Sequence, residues 1–289
     1  MNIDIPIYFD SILDAYHRHA HGRSVHLGYY PDDVDPSEFC LQEAQNEFDH
    51  RVIKFAGVST GLKILDVGCG LGGLIERINN LYSKIDIIGC NIDPRQLDVC
   101  TSIRCKNDNV IAWVEADASE LPIPDHTIDL VLCIEAAFHF RSRKAFFAEA
   151  CRVLKPGGKL ICTDIFLKES WFPEDRLQTG GRHGFRSESV QAFLNRSIHT
   201  LLLATYAPWP DPWYATHSLE TDLRNAGFAS LTIEDWTLPT APSYAAMTPR
   251  NNTFGVIGTS DPLLGSLLTI GFLHQHLLLE YLLYSGIKL

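Results

Sequence analysis

The chain has no excess of basic residues. Its 24 Lys and Arg stand against 35 Asp and Glu, a formal charge of −11 over 289 residues. A protein that tracks nucleic-acid phosphates needs a basic footprint, so nucleic acid is not an expected partner. The same deficit disfavours electrostatic docking on anionic membranes. A long uninterrupted apolar run is also missing. The most apolar stretch, Pro262–Ile287, is broken by His274, Gln275, His276 and Glu280, so no membrane span is expected. Met1–Asp10 carries Asp4 and Asp10 with no basic n-region and does not read as a secretory signal. The eight cysteines (Cys40, Cys69, Cys90, Cys100, Cys105, Cys133, Cys151 and Cys162) form no CxxC pair. No Cys/His cluster has zinc-ligand spacing, so no metal is expected. Several sit inside apolar runs such as DLVLCI and KLICTDI and read as buried thiols of a reducing, cytoplasmic compartment. Internal repeats and low-complexity segments are lacking. What is there is a chain 46% hydrophobic and 20% charged, with a mean hydropathy of −0.01. That composition describes a soluble globular protein with enough residues for one large domain, or a domain with a cap.

Residues 1–60 read as helical. Ser37 is placed to cap a helix whose apolar stripe is Leu41, Ala44, Phe48, Val52 and Phe55. From Lys63 the pattern changes. Short apolar runs (KILDV, IDIIGC, VIAWVEA, IDLVLCI, KLICTDI) alternate with the amphipathic segments Gly72–Asn80, Pro94–Lys106 and Arg143–Val153. Alternation at this pitch predicts an α/β chain with βαβ units and a parallel sheet covered on both faces. Phe166–Tyr214 breaks the rhythm with three tryptophans and a proline-rich APWPDPWY, and reads as a cap. The rhythm then returns: a helix over Thr216–Ala226 ended by Gly227, a strand SLTIEDW, a mostly helical 241–279, and a final strand LEYLLYSGIK. The resulting divisions are a helical lid at 1–60, a ligand-binding core at 61–165, a cap at 166–215 and a return to the core at 216–289.

KILDVGCGLGG is the most informative stretch. A buried strand ends at Val67 and a helix starts near Leu71. Gly68 and Gly70 let the chain turn tightly and let backbone amides approach a ligand. Gly68-x-Gly70-x-x-Gly73 also satisfies the dinucleotide fingerprint. Asp66, just before the glycines, sits awkwardly beside a pyrophosphate but suits an ammonium. Asn91, after the second strand, can hydrogen-bond ribose hydroxyls in either case.

LDVGCGLGG resembles motif I of the class I S-adenosylmethionine-dependent methyltransferases. IIGCNIDPRQL, VEADASELPIPDHTIDLV and EAAFHFRSRKAFFAEACRVLKPGGKL resemble, in order, the ribose region, the adenine loop with the fourth strand, and the unit that follows. These motifs cover Lys63–Asp164 at the family's spacing. The resemblance implies a Rossmann-like, seven-stranded, mostly parallel sheet with its final strand antiparallel, an amino-terminal helical lid and an inserted cap. It implies S-adenosylmethionine as cofactor. Asp66 with the Gly68–Gly70 backbone would hold the methionine end, and Asn91, Ile92 and Gln96 the ribose and adenine. Asp117 would take the adenine amino group, with the Ala118 amide beside it, and Glu135 would stand beside the methionine pocket. A helix cap is the lesser alternative for Asp117, and Asp125 reads as a turn residue. VHLGYYPD resembles a segment that folds over the cofactor in the small-molecule subgroup. It places His26 near the methionine carboxylate and Tyr29 or Tyr30 at the pocket mouth, unless the tyrosines only pack beneath a lid. Tyr8 is a further candidate of that kind.

Methyl transfer to a hydroxyl needs positioning, exclusion of water and a proton acceptor. His139, four residues after Glu135, is the candidate base, and Asp164, read as ending the fifth strand on the same carboxyl edge, the candidate that orients it. Related O-methyltransferases carry His and Asp at these positions. Trp171 and Trp209 of the cap, with its other Phe and Pro residues, point to an apolar or aromatic acceptor pocket. His183, His199 and His217 lie in or beside the cap. Phe272–Tyr284 could line the same pocket or form a homodimer face. The expected reaction is methylation of a small natural product, leaning to oxygen. C- or N-methylation, a nicotinamide oxidoreductase and a non-catalytic cofactor binder are the alternatives. No Tyr-x-x-x-Lys supports the oxidoreductase, and EAAF after the fourth strand is not the NPPY-type tetrapeptide of nucleic-acid or protein methylation.

Overall fold

The computed structural model describes residues 7–19, 22–167, 216–247, 270–275 and 278–289. Most of the proposed cap, including Trp171, Trp209, His183 and His199, lies outside the described residues, as do the side chains of Tyr8 and His217.

Helix α1 (Ile7–His19) and helix α2 (Leu41–Ala56) precede the sheet. Then come β1 (Lys63–Val67), α3 (Gly73–Leu81), β2 (Asp86–Asn91), α4 (Pro94–Cys100), β3 (Val110–Glu115) and β4 (Ile128–Ile134). A 3-10 turn (Ala137–His139) leads to α5 (Arg143–Val153) and β5 (Leu154–Leu167). The return consists of α6 (Thr216–Asn225), β6 (Phe228–Asp235), two short helical segments (Thr237–Thr240 and Pro242–Met247) and β7 (Leu279–Lys288).

These strands form one seven-stranded sheet in the order β3-β2-β1-β4-β5-β7-β6. β1 runs parallel to β2 and to β4, and only β7 is antiparallel to its neighbours, β5 and β6. The strand alternation expected for this α/β, Rossmann-like sheet is therefore present, with the final strand reversed as the family resemblance implied. The chain moves outward from β1 to β3 and then crosses to β4 on the other side. That reversal opens a crevice at the carboxyl ends of β1 and β4, where open α/β sheets bind ligands.

Period-two alternation divides the core between the two faces. Tyr281 and Leu283 of β7 join Phe48, Val52, Ile75 and Ile78 on one face. Leu282 and Tyr284 join Phe146, Phe147, Leu219 and Leu223 on the other. Helices α2 and α3 thus cover one side and α5 and α6 the opposite side. Burial of both faces explains why the strands read as near-continuous apolar runs.

Several boundaries differ from expectation, and residues 22–40, read as helical, are turns and extended chain. Helix α2 is capped at Cys40 rather than Ser37: the Glu43 carboxylate accepts from the Cys40 amide at 2.8 Å. Ser37 instead donates its amide and hydroxyl to Asp35, both at 2.8 Å, closing a separate turn. Helix α4 stops at Cys100, well before Lys106, because buried Asn79 captures the Arg104 carbonyl at 2.8 Å and the Lys106 amide at 3.0 Å. Strand β5 continues to Leu167, so Phe166 and Leu167 belong to the sheet and not to the cap.

The segment before α2 lies against that helix. Gln45 Nε2 donates to the carbonyls of His26 (2.8 Å) and Ser24 (3.2 Å), and the Tyr29 amide donates to the Ala44 carbonyl at 2.9 Å. Gly28 allows the approach: a Cβ there would lie 2.4 Å from the Ala44 Cβ. Its amide donates to Ser243 Oγ at 2.8 Å, which binds the segment to the return as well. Gly28→Ala should cost about 1–3 kcal/mol through overpacking. Chemical denaturation checks this, and an unchanged midpoint would show that α2 can yield.

Candidate cofactor and methyl-transfer site

The crevice is a cavity lined by the glycine loop, the ends of β1, β2 and β4, and the amino-terminal segment. It brings together His26, Asp66, Gly68, Gly70, Asn91, Ile92, Gln96, Asp117, Ala118, Glu135 and His139. These come from five separate stretches of sequence, and the sheet topology gathers them at one edge.

The glycine loop is shaped by space as well as by dihedral angle. Gly68 has φ 77°, and a Cβ there would lie 2.4 Å from Ala136 Cβ. Any side chain would push apart the loop and the turn that carries His139.

Asp66 is 3% exposed and lines the cavity, yet accepts no hydrogen bond from the described residues. Burial, with the nearby Asp49 charge, pushes its carboxyl up to about 7, while His26 works in the opposite direction. A buried carboxylate without a donor is costly, and a cationic ligand group would relieve that cost.

His26 lines the same wall. Its Nε2 lies 3.0 Å from Asp49 Oδ1, and its Nδ1 lies 2.7 Å from the Leu27 carbonyl oxygen. Burial alone would lower its pKa, but the Asp49 and Glu135 charges and these contacts hold it up at about 9. His26 is an imidazolium at neutral pH with both ring nitrogens turned toward protein oxygens. It thus places a positive charge beside the cavity rather than a free donor in it.

Glu135 sits just past β4 with φ 50°, the left-handed region that a non-glycine residue seldom occupies. Its Oε1 accepts from the Leu27 amide at 2.8 Å and from Tyr281 Oη at 2.6 Å. This carboxylate therefore ties the amino-terminal segment to β7 across the cavity wall. Burial raises its pKa against the lowering effect of His26.

At the other end, Asn91 Nδ2 donates to Gln96 Oε1 (3.0 Å) and to the Gly70 carbonyl (3.3 Å), and its Oδ1 accepts from the Asp93 amide (3.2 Å). Asn91 thereby fixes the orientation of Gln96, whose buried Nε2 has no partner among the described residues. Asp117 Oδ1 accepts from Ser119 N (2.9 Å) and Ser119 Oγ (2.6 Å), a local turn that leaves Oδ2 available. The cap-like and ligand-binding readings of Asp117 are thus compatible. The loop behind it is held by Arg152, which pairs with Asp125 at 2.6 Å and donates to the carbonyls of Leu121 (2.9 Å) and Ile123 (2.8 Å).

Three expectations fall elsewhere. Asp164 does not end its strand. It lies inside β5, fully buried, and accepts from Arg143 Nε at 2.8 Å and Nη2 at 3.0 Å. Both of its oxygens serve this pair, and it is not among the residues lining the cavity, so it is withdrawn as the partner of His139. Tyr29 packs edge-on against Trp236, 4.9 Å between centroids, beneath Arg51. Tyr30 packs against Phe39, and neither tyrosine lines the cavity. Their backbones are held by the Ala44 carbonyl of α2 (2.9 Å from Tyr29 N) and the Pro239 carbonyl of the return (2.8 Å from Tyr30 N).

The cavity also holds residues that the sequence reading passed over. Phe9 and Ile12 of α1, Arg23 and Val25 of the following segment, and Phe138 and Phe140 around His139 all line it. The His139 ring is 5.5 Å from Phe9 and 4.4 Å from Phe138. Spacing within α1 carried the signal: Phe9 and Ile12 are three apart, with Leu13 and Tyr16 continuing one face. Helix α1 is joined to α4 through Asp10 and Arg95, 2.5 Å apart.

Comparison with known proteins agrees with this geometry. A model of the methyltransferase domain matches residues 65–162. The 2-methyl-6-phytyl-1,4-hydroquinone methyltransferase of Synechocystis sp. is 29% identical over 241 residues, covering 81% of this chain and 67% of that protein. The erythromycin 3''-O-methyltransferase of Saccharopolyspora erythraea is 31% identical over 160 residues, covering 54% of this chain and 51% of that protein. The chain thus spans about half to two thirds of the length of these curated relatives. In fold, it matches the geranyl diphosphate C-methyltransferase of Streptomyces coelicolor A3(2), solved with Mg2+, geranyl diphosphate and S-adenosyl-L-homocysteine. The TM-score is 0.67 at 15% identity, over 99% of this chain and 100% of that one. With the glycine loop, the strand order and the matched segment in agreement, residues 65–162 form a methyltransferase domain, on a chain with the fold of the class I S-adenosylmethionine-dependent methyltransferases.

Proposed function

We propose that this chain transfers a methyl group from S-adenosylmethionine to a small apolar or aromatic metabolite, most readily at a hydroxyl oxygen. The observation that carries the cofactor half is Asp66, a buried carboxylate with no donor among the described residues in a cavity behind a glycine loop. The donor set suits the whole cofactor. Asp66 would take the ammonium, Gln96 Nε2 a ribose oxygen, and Asp117 Oδ2 the adenine amino group, with Ile92 and Ala118 against the ring. The positive charge of His26 favours the methionine carboxylate from behind the wall.

The bound cofactor supplies an activated methyl group. The chain has to hold the acceptor in line, keep water away and accept a proton. Phe9, Ile12, Phe138 and Phe140 give the cavity an apolar wall beside His139. His139 would take the hydroxyl proton as general base. His139→Gln should lower kcat about 100-fold or more while changing cofactor affinity less than about twofold. Wild-type turnover in that variant would remove His139 from the mechanism. The acidic net charge supports a small acceptor over a nucleic acid. Eight free cysteines support a reducing, cytoplasmic compartment.

The experiment is calorimetric titration with S-adenosylhomocysteine and, separately, NADH, followed by an acceptor screen for methyl transfer. Micromolar binding of the first and none of the second is expected. Binding of NADH alone would overturn the reading.

A further inference from the structure

Three carboxylates, Asp49, Asp66 and Glu135, surround His26. Asp49 is fully compensated: His26 Nε2 lies 3.0 Å from its Oδ1, and Arg77 Nε donates to its Oδ2 at 2.9 Å. Asp66 and Glu135 share only the field of that same imidazolium. Glu135 has two donors, both neutral and both on Oε1, which leaves Oε2 without a partner among the described residues. The remaining charged or titratable groups nearby do not neutralise it. Arg23 is taken up by the Leu71 and Val99 carbonyls, Ser102 and Glu76, and burial keeps the Tyr281 phenol protonated. Neither Arg141 nor His139, on the turn beyond it, is among the charges that act on Glu135, and Thr163 on β5 is neutral. With Asp66 and Glu135 ionised, the three carboxylates meet two cations, His26 and Arg77, so this part of the wall carries one uncompensated negative charge.

The methionine end of S-adenosylmethionine has an ammonium, a sulfonium and a carboxylate, a net charge of +1. After transfer the sulfur is a neutral thioether and that end has no net charge. We infer that Glu135 is the residue by which this site distinguishes the sulfonium cofactor from its thioether product, while Asp66 serves the ammonium that both carry. The inference rests on the cofactor assignment above. It makes product release easier than cofactor release, because after transfer the buried Glu135 charge has lost its partner. Glu135 can regain neutrality by taking up a proton, as its raised pKa permits.

The test is calorimetry of the full chain with S-adenosylmethionine and S-adenosylhomocysteine, without acceptor, from about pH 5 to about pH 8. At the upper pH the sulfonium ligand should bind about tenfold tighter than the thioether. That ratio should shrink as the pH falls and Glu135 protonates. His26, held up at about 9, stays charged across this range, and Asp66 pairs with the ammonium in both complexes, so neither changes the ratio with pH. Glu135→Gln keeps an acceptor for the Leu27 amide and for Tyr281 Oη. It should remove most of the discrimination by weakening the sulfonium ligand alone, leaving S-adenosylhomocysteine within about twofold. Equal losses for both ligands, or a ratio independent of pH in the wild-type chain, would overturn the inference. If Glu135→Gln does not fold, the wild-type pH series decides. If neither ligand binds the wild-type chain, the cofactor assignment itself fails, which is a different result from an unselective site.

Discussion

Asp66→Asn should raise the dissociation constant for S-adenosylhomocysteine about 100-fold while leaving the protein at least as stable as its parent. The two effects share a cause. In the empty site the carboxyl is held up at about 7, because burial penalises its charge. A group whose folded pKa is raised stabilises the fold at low pH and loses that contribution as pH rises through the folded value. Above about pH 7 the ionised side chain is therefore a liability to the fold, and the amide removes it. Differential scanning calorimetry at alkaline pH should show a gain on the order of a few kcal/mol. The same proton sets the pH dependence of binding. An ammonium pairs only with the ionised form, so below about pH 7 wild-type affinity should fall as pH falls, approaching tenfold per unit, and level off above it. A variant that binds normally would place the methionine ammonium elsewhere.

Arg143→Met should produce the largest loss of stability, about 3–5 kcal/mol, by leaving Asp164 charged with only two neutral donors, the Ile165 amide at 2.8 Å and Tyr284 Oη at 3.4 Å. The pair is 2% and 0% exposed and doubly hydrogen-bonded, and Arg143 also lies over the Phe166 ring. Replacing both partners together with apolar residues of similar volume should recover most of the loss, since breaking a buried pair costs far more than removing it. Chemical denaturation of the two single variants and the double variant measures this directly. A loss below about 1 kcal/mol for Arg143→Met would mean that the pair is not structural. It would also return Asp164 to consideration as a group acting on His139.

The Asp164 result shows where sequence reading stops. Strand β4 and helix α5 are legible because hydrophobic periodicity is local, and the boundaries of α5 and β7 match residue for residue. The glycine loop, Asp66 and Asp117 are legible because the ligand demands particular groups at fixed positions along strand ends. Asp164 was misplaced because its strand runs three residues further, paired with Leu279–Leu282 of β7, a partner over a hundred positions away. Tyr29 and Tyr30 were misdirected for a similar reason. Their orientation is set by Ala44, Ser243 and Pro239, and spacing within VHLGYYPD carries no record of those contacts. Phe9 and Ile12 were overlooked because a helix face toward a ligand cavity looks like one toward a core.

The strand order has a consequence for biosynthesis. Strand β6 is made before β7 but, among the described strands, pairs only with β7, and β7 also supplies Tyr281 to Glu135. While the chain is still emerging from the ribosome, β5 and β6 present unpaired edges with a vacant slot between them. The wall behind the cavity lacks its Tyr281–Glu135 fastening until β7 arrives to fill that slot. A chain stalled before Leu279 would have its glycine loop but not the completed sheet. Such an intermediate exposes the kind of strand edge that chaperones shield and that pairs wrongly with other chains.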